Sequence, residues 1–166
     1  MITTGYVRKM AAYNRWMNET IYAACEQLSD ADRKTDRGAF FGSIHATLNH
    51  ILWADQMWMH RLTGSEKPKA SGITGSLEQH ADFDDLKRER AAFDAMIEDW
   101  AASLDPAWLE GELNWHSGST GRDMASPRWI LVTHMFNHQT HHRGQVHCLL
   151  TQFGMETPVT DLPFAP

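Results

Sequence analysis

The stretch Ser126-Pro-Arg-Trp-Ile-Leu-Val-Thr-His134-Met-Phe-Asn-His138-Gln-Thr-His141-His142-Arg-Gly-Gln-Val-His147-Cys-Leu-Leu-Thr-Gln-Phe153-Gly154 decides how this chain folds. Ser126 suits an N-cap, Pro127 the first helical position and Gly154 the stop, so the segment is predicted to form one long helix. At about 100° per residue, with His138 at zero, Leu131 and Leu149 fall at about +20°, His142 at about +40°, Met135 and Phe153 at about +60° and Val146 at about +80°. His138 and His142 therefore lie inside the apolar stripe, one turn apart, a spacing that lets two imidazoles converge on one ion. His134 and His141 fall at the edge of that face, at about −40° and −60°.

A single histidine on an apolar helix face is ordinarily a hydrogen-bonded core residue. Two in register are harder to place that way, because each needs a buried polar partner. Chance also produces such pairs in a chain with ten histidines. A third ligand from elsewhere decides between core and metal.

At 166 residues and 18.9 kDa, the chain is read as one domain over 1–166, large enough for a core without disulfides or a structural metal. A net charge of −6 argues against a phosphate-tracking surface, so no nucleic-acid partner is expected. Cys25 and Cys148 form no CxxC pair, which fits a reducing cytoplasm. No long apolar run and no basic-then-apolar N-terminus is visible, so neither a membrane span nor a signal peptide is expected. Seven tryptophans and nine methionines suggest a thick helical core and an apolar surface covered by a second subunit, hence a homodimer.

Helical periodicity runs through the rest of the chain. Tyr6, Met10, Tyr13, Met17, Ile21 and Cys25 repeat at three and four along a first helix, Thr4 to Glu26. Residues 28–33 read as a short turn capped by Ser29. A second helix follows Gly42-Ser43 and stops at Thr63-Gly64. A connection over 65–75 is long enough to cross the end of a bundle. Ser76-Leu-Glu-Gln79 reads as a capping box that opens a third helix, which carries Phe83, Leu86, Arg90, Phe93, Ile97 and Trp100 to about Leu104. Residues 105–125 are polar and Gly-rich and read as an irregular excursion or small hairpin. Four long amphipathic helices make an all-α four-helix bundle the expected fold.

The second helix supplies a candidate third ligand. Around His50, Ala46 and Ala54 sit one turn to either side and leave room for its ring, as a metal pocket in a crowded core requires. His45 and His60 point away from that face and are expected to be exposed or partly buried. Asp55 is read as a salt-bridge or hydrogen-bond partner of another helix, the other option being an acid behind the metal ligands.

Three segments carry a resemblance: Tyr13-Asn14-Arg15-Trp16-Met17-Asn18, Leu48-Asn-His50-Ile-Leu-Trp-Ala-Asp55, and Asn137-His138-Gln-Thr-His141-His142-Arg143-Gly144-Gln145. Over nearly its full length the chain resembles the DinB/YfiT-like family of metalloenzymes, and the last segment is the most specific. The resemblance implies an up-down-down-up bundle with a long crossover and a metal held by three histidines. Matched residue by residue, those are His50, His138 and His142. The family name implies no contact with DNA.

Three neutral imidazoles suit one divalent transition ion, zinc or nickel first and iron next, and leave a coordination position open. Such an ion lowers the pKa of a bound water or thiol toward neutrality. Asn137 and Gln139 flank His138, so the His-Glu-x-x-His motif of zinc peptidases is absent. By resemblance, the expected activity is that of a metal-dependent transferase or hydrolase, with a low-molecular-weight thiol and a small electrophile as partners of a thiol-dependent S-transfer. The alternative is a non-catalytic, stress-related dimeric bundle that only binds metal. Gln145 can bond a metal ligand or another buried group, and His134 and His141 can stand behind the ligands or on the rim. Arg143 is expected to pair with an Asp or Glu of a neighbouring helix, and Gly144 to admit the close approach of one.

Overall fold

Thr3 accepts a hydrogen bond from the Tyr6 amide and starts α1, Thr4–Glu26. The computed structural model describes residues 1–118 and 120–165. Ser29 caps the short α2, Asp30–Lys34. Ser43 caps α3, Ile44–Thr63, which ends on Gly64 at φ 77°, a left-handed turn that glycine enters without a Cβ clash. After a five-residue α4, Gly72–Ser76, Asp82 caps α5, Phe83–Ser103. A short α6, Pro106–Leu109, leads to an antiparallel hairpin of β1, Glu112–Ser117, and β2, Arg122–Pro127. The last long helix is α7, Arg128–Gln152.

Side-chain pairs fix the helix directions. Lys87 and Glu26, and Asp94 and Asn14, join α5 to α1 in opposite sequence order, so these run antiparallel. Asp55 with Arg90, and Asn49 with His80, join α3 to α5 and the residues before it in the same order, so that pair is parallel. Phe41 meets His142 while Trp58 meets His134, so α3 and α7 are antiparallel. Up-down-down-up is the only arrangement consistent with all three. The parallel pair is what requires the long crossover between α3 and α5.

Met17, Ile21, Leu48, Leu52, Leu86, Ile97, Met135, Phe136 and Leu149 fill the interior and are almost wholly shielded from solvent. All seven tryptophans are only half-buried and line its margins.

Four expectations need correction. Ser76-Leu-Glu-Gln79 does not open α5. Asp82 does, since its carboxylate takes the Asp85 amide immediately before the apolar run begins, whereas the Ser76 hydroxyl is engaged elsewhere. Ser126 does not cap α7 and Pro127 is not its first residue: the helix begins at Arg128 with Pro127 as its N-cap, and Ser126 and Pro127 close β2. Ser126 pairs with Leu113, so its backbone is engaged in the hairpin and the helix begins two residues later. His45 is buried rather than exposed, because the chain returning from the crossover brings the His80 carbonyl to 2.8 Å from its Nε2. Gly144 is not crowded. A Cβ built there meets nothing within 4 Å, and the residue lines an open cleft of about 250 Å³ shared with Met17 and Ile21 of α1.

Candidate metal centre

His50 on α3 and His138 and His142 on α7 meet between the two antiparallel helices. His138 Nε2 stands 3.4 Å from His50 Nε2 and 3.1 Å from His142 Nε2. One ligand atom from each ring lies within 4.8 Å of the others. The helical wheel had turned these rings inward, and the antiparallel pairing of α3 and α7 brings them together.

Neighbouring groups set which ring nitrogen holds the proton. Ser76 Oγ donates to the Ile73 carbonyl at 2.6 Å, so toward His50 Nδ1, 2.9 Å away, it acts as acceptor. Gln145 Oε1, 2.8 Å from His142 Nδ1, has only lone pairs to offer. Both rings therefore carry the proton on Nδ1 and aim an unprotonated Nε2 at His138. Lone pairs so close repel one another unless a proton on His138 Nε2 or a bound cation sits between them. Two nitrogens each about 2.1 Å from one ion stand about 3.0–3.4 Å apart at angles of about 90–110° between ligands. The two closest separations fall within that range, so the residues fit a metal ion.

Electrostatics point the same way. Burial, then the neighbouring His142, lowers the His50 pKa to about 4. Burial and the surrounding imidazoles lower that of His138 to about 3. His142 is also lowered by burial, against the Gln145 hydrogen bond, which favours its protonated form. At neutral pH all three are neutral, as metal ligands must be.

Phe41 packs on the cluster, its ring centroid 4.2 Å from that of His50 and 5.2 Å from that of His142. Phe40, 78% exposed, stands edge-on to Phe41 at the tip of the 39–42 turn. His134 and His141 are exposed, with ring centroids 5.9 Å from His138 and 4.8 Å from His142, and so occupy the rim. His60 lies apart, 2.6 Å from the Ser65 carbonyl.

Asp55 serves a different cluster. Arg90 bridges Asp55 at 2.6 Å and Asp94 at 2.8 Å, all three buried. Asn14 and Asn18 donate to Asp94, and Arg143 donates to Asn14. Arg143 thus reaches an amide rather than the expected carboxylate, because Asp55 and Asp94 are both occupied by Arg90. Ser76 and Phe41 were missed from sequence. Both lie in connections between the long helices, where helical periodicity carries no information.

This arrangement defines a class, that of four-helix bundles with a three-histidine cradle on facing helices, able to hold a metal ion. A sequence profile of the DinB family matches residues 1–166, and the chain belongs to that family. Protein DinB of Bacillus subtilis (strain 168) is 25% identical over 154 residues, covering 92% of this chain and 89% of that protein. The crystal structure of a DinB-like protein from Bacillus cereus ATCC 10987 shares the fold at TM-score 0.62 and 19% identity, covering 86% of this chain and 89% of that one. YfiT from Bacillus subtilis, described as a probable metal-dependent hydrolase with an unusual four-helix bundle topology, matches at TM-score 0.66 and 12% identity, covering 94% of this chain and 92% of its own.

Proposed function

We propose that this protein is a metal-dependent enzyme in which His50, His138 and His142 hold one divalent transition ion, zinc or nickel ahead of iron. The observation that carries it is the convergence of the three Nε2 atoms, with the protons of two rings assigned to Nδ1 by Ser76 and Gln145. When bound, such an ion supplies a nucleophile at neutral pH by lowering the pKa of a coordinated water or low-molecular-weight thiol. Ser76 and Gln145 orient the rings. Phe41 keeps bulk water from the His50 and His142 faces, which strengthens every electrostatic interaction there. His134 and His141 stand at the mouth, in position to touch a small electrophilic substrate. The description of YfiT supports water as the nucleophile, and hydrolysis is the favoured reaction, with thiol transfer second.

The test loads the protein with zinc or nickel. It then measures hydrolysis of an ester and amide panel, and conjugation of a small thiol to an aryl halide, with and without chelator. Turnover lost on chelation and in His138→Ala is the expected result. Metal uptake without turnover leaves a metal-binding bundle, and no uptake leaves three core histidines. The proposal extends to a homodimer through an apolar helix face, which a sedimenting monomer at micromolar concentration would remove. No described helix is long and apolar enough to cross a membrane.

A further inference from the structure

Ser76 closes α4 and reaches from the crossover into the histidine cluster. Its side chain is fully shielded from solvent. The hydroxyl proton goes to the Ile73 carbonyl, and its lone pair receives the His50 Nδ1 proton. A relay thus runs from the crossover backbone through one hydroxyl to a candidate metal ligand. Other bonds fasten the crossover to α3 independently. Trp53 Nε1 donates to the Ala70 carbonyl at 2.9 Å, Gln79 Nε2 to Gln56 Oε1 at 2.8 Å, and the His80 amide to Asn49 Oδ1 at 2.8 Å. None of these bonds involves a histidine of the cluster. The Ser76 hydroxyl can therefore be removed while the crossover stays tied down.

We propose that Ser76 is a positioning residue through which the α3–α5 crossover sets the metal affinity of His50, and that metal binding in turn tightens the crossover around Ser76. This rests on the metal reading above. Without the hydroxyl, the His50 ring can rotate and exchange tautomers, and only one tautomer and one orientation present Nε2 to an ion shared with α7. Groups that orient a metal-bound histidine from behind typically contribute 10–100-fold to affinity. Reciprocity then follows from thermodynamics: if a docked crossover favours the ion, the ion favours the docked crossover by the same factor.

The experiment compares the full-length protein with Ser76→Ala and Gln79→Ala. Zinc affinity is read by competition with a chromophoric chelator, and backbone order by amide hydrogen exchange with and without zinc. Ser76→Ala is expected to weaken zinc binding about tenfold and to abolish the zinc-induced slowing of exchange across residues 73–80. Gln79→Ala, which cuts a crossover tie but spares the hydroxyl, should speed exchange in the crossover and leave zinc affinity within about threefold, well short of that loss. In metal-free protein, nitrogen-15 imidazole spectra should show His50 as the Nδ1–H tautomer, and a mixture in Ser76→Ala. Unchanged zinc affinity and protection in Ser76→Ala overturn the proposal while the metal reading stands. Equal weakening in both variants also overturns it, because general loosening then suffices. A wild-type protein that takes up no zinc, nickel or iron removes the metal reading and this proposal together.

Discussion

Two buried polar clusters share helix α3, one around His50 and one around Asp55, and they are built on opposite terms. In the Asp55 cluster opposite charges are set against one another. Arg90 joins two carboxylates, two asparagines donate to Asp94, and Arg143 completes a balance of two cations and two anions drawn from all four long helices. Burial raises the Asp55 carboxyl to about 6 against the pull of Arg90, and Arg90 itself stays charged between its two partners. In the His50 cluster like faces like: three neutral rings meet at their Nε2 atoms, with partners for the outer nitrogens of His50 and His142 and none for that of His138. The charges of the first cluster balance among its own residues, though Asp55 Oδ1 and Arg90 Nε have no partner, whereas the second is a cradle that a cation would complete on the proposed metal reading. One holds the parallel α3–α5 pair in register, and the other is the candidate metal centre.

The largest expected effect tests the first cluster. Arg90→Ala leaves two carboxylates buried without their cation and should cost about 3–5 kcal/mol of stability in urea unfolding. A loss under about 1 kcal/mol would mean that the cluster is solvated or dispensable. The second cluster should respond to metal instead. At a free zinc concentration a hundredfold above its Kd, the wild-type protein should gain about 2.7 kcal/mol, and His138→Ala nearly none. The metal-free His138→Ala protein should remain folded, because the hydrophobic core does not pass through that ring. Equal stabilisation of both proteins by zinc would place the ion elsewhere.

Acid should also separate the clusters. In metal-free protein the folded-state pKa values of His50 and His138, about 4 and about 3, lie below the ordinary 6.5 of the unfolded chain. The folded state therefore binds fewer protons. The stability linked to these rings is fully present above about pH 6.5 and is lost as pH falls from there toward 4 and 3. His138→Gln should flatten the fall between pH 7 and pH 5 by about 1 kcal/mol, allowing for solvent at a half-buried ring. An unchanged slope in denaturation midpoints would show that the ring is solvated.

The smallest expected effect lies on α7 between the clusters, where Gly144 separates Arg143, which faces one, from Gln145, which faces the other. A methyl at Gly144 has open space, so Gly144→Ala should stabilise the protein by up to about 1 kcal/mol and leave metal uptake unchanged. Destabilisation would reveal that a second copy covers this face.

How much of this was legible in the sequence differs by element. Caps at Ser43 and Gly64 act locally, so their chemistry is written beside the residues they terminate. The inward turn of His50, His138 and His142 follows from helical period alone. Ser76, His45 and Ser126 were misread for one shared reason: a segment distant in sequence claims them. His50 takes the Ser76 hydroxyl, the His80 carbonyl covers His45, and Leu113 pairs with Ser126 before a cap can form. Asp55 could be read as an ion-pair partner, but its mate on α5 could not be named without the parallel register. Gly144 misled because the sequence shows that a side chain is missing and not what lies beside it.

The spacing of the ligands along the chain has a consequence for biosynthesis. His50 and His138 are separated by 88 residues. At about 5–20 residues per second, the ribosome delivers the second ligand about 4–18 s after the first. Throughout that interval α3 is exposed to cellular metal with one imidazole of the three, too few to retain an ion against competing chelators. Only when α7 docks against α3 does the full set exist. On the proposed metal reading, an ion caught there would record that the last helix has arrived in its place, and metal content in freshly made protein would report completed folding.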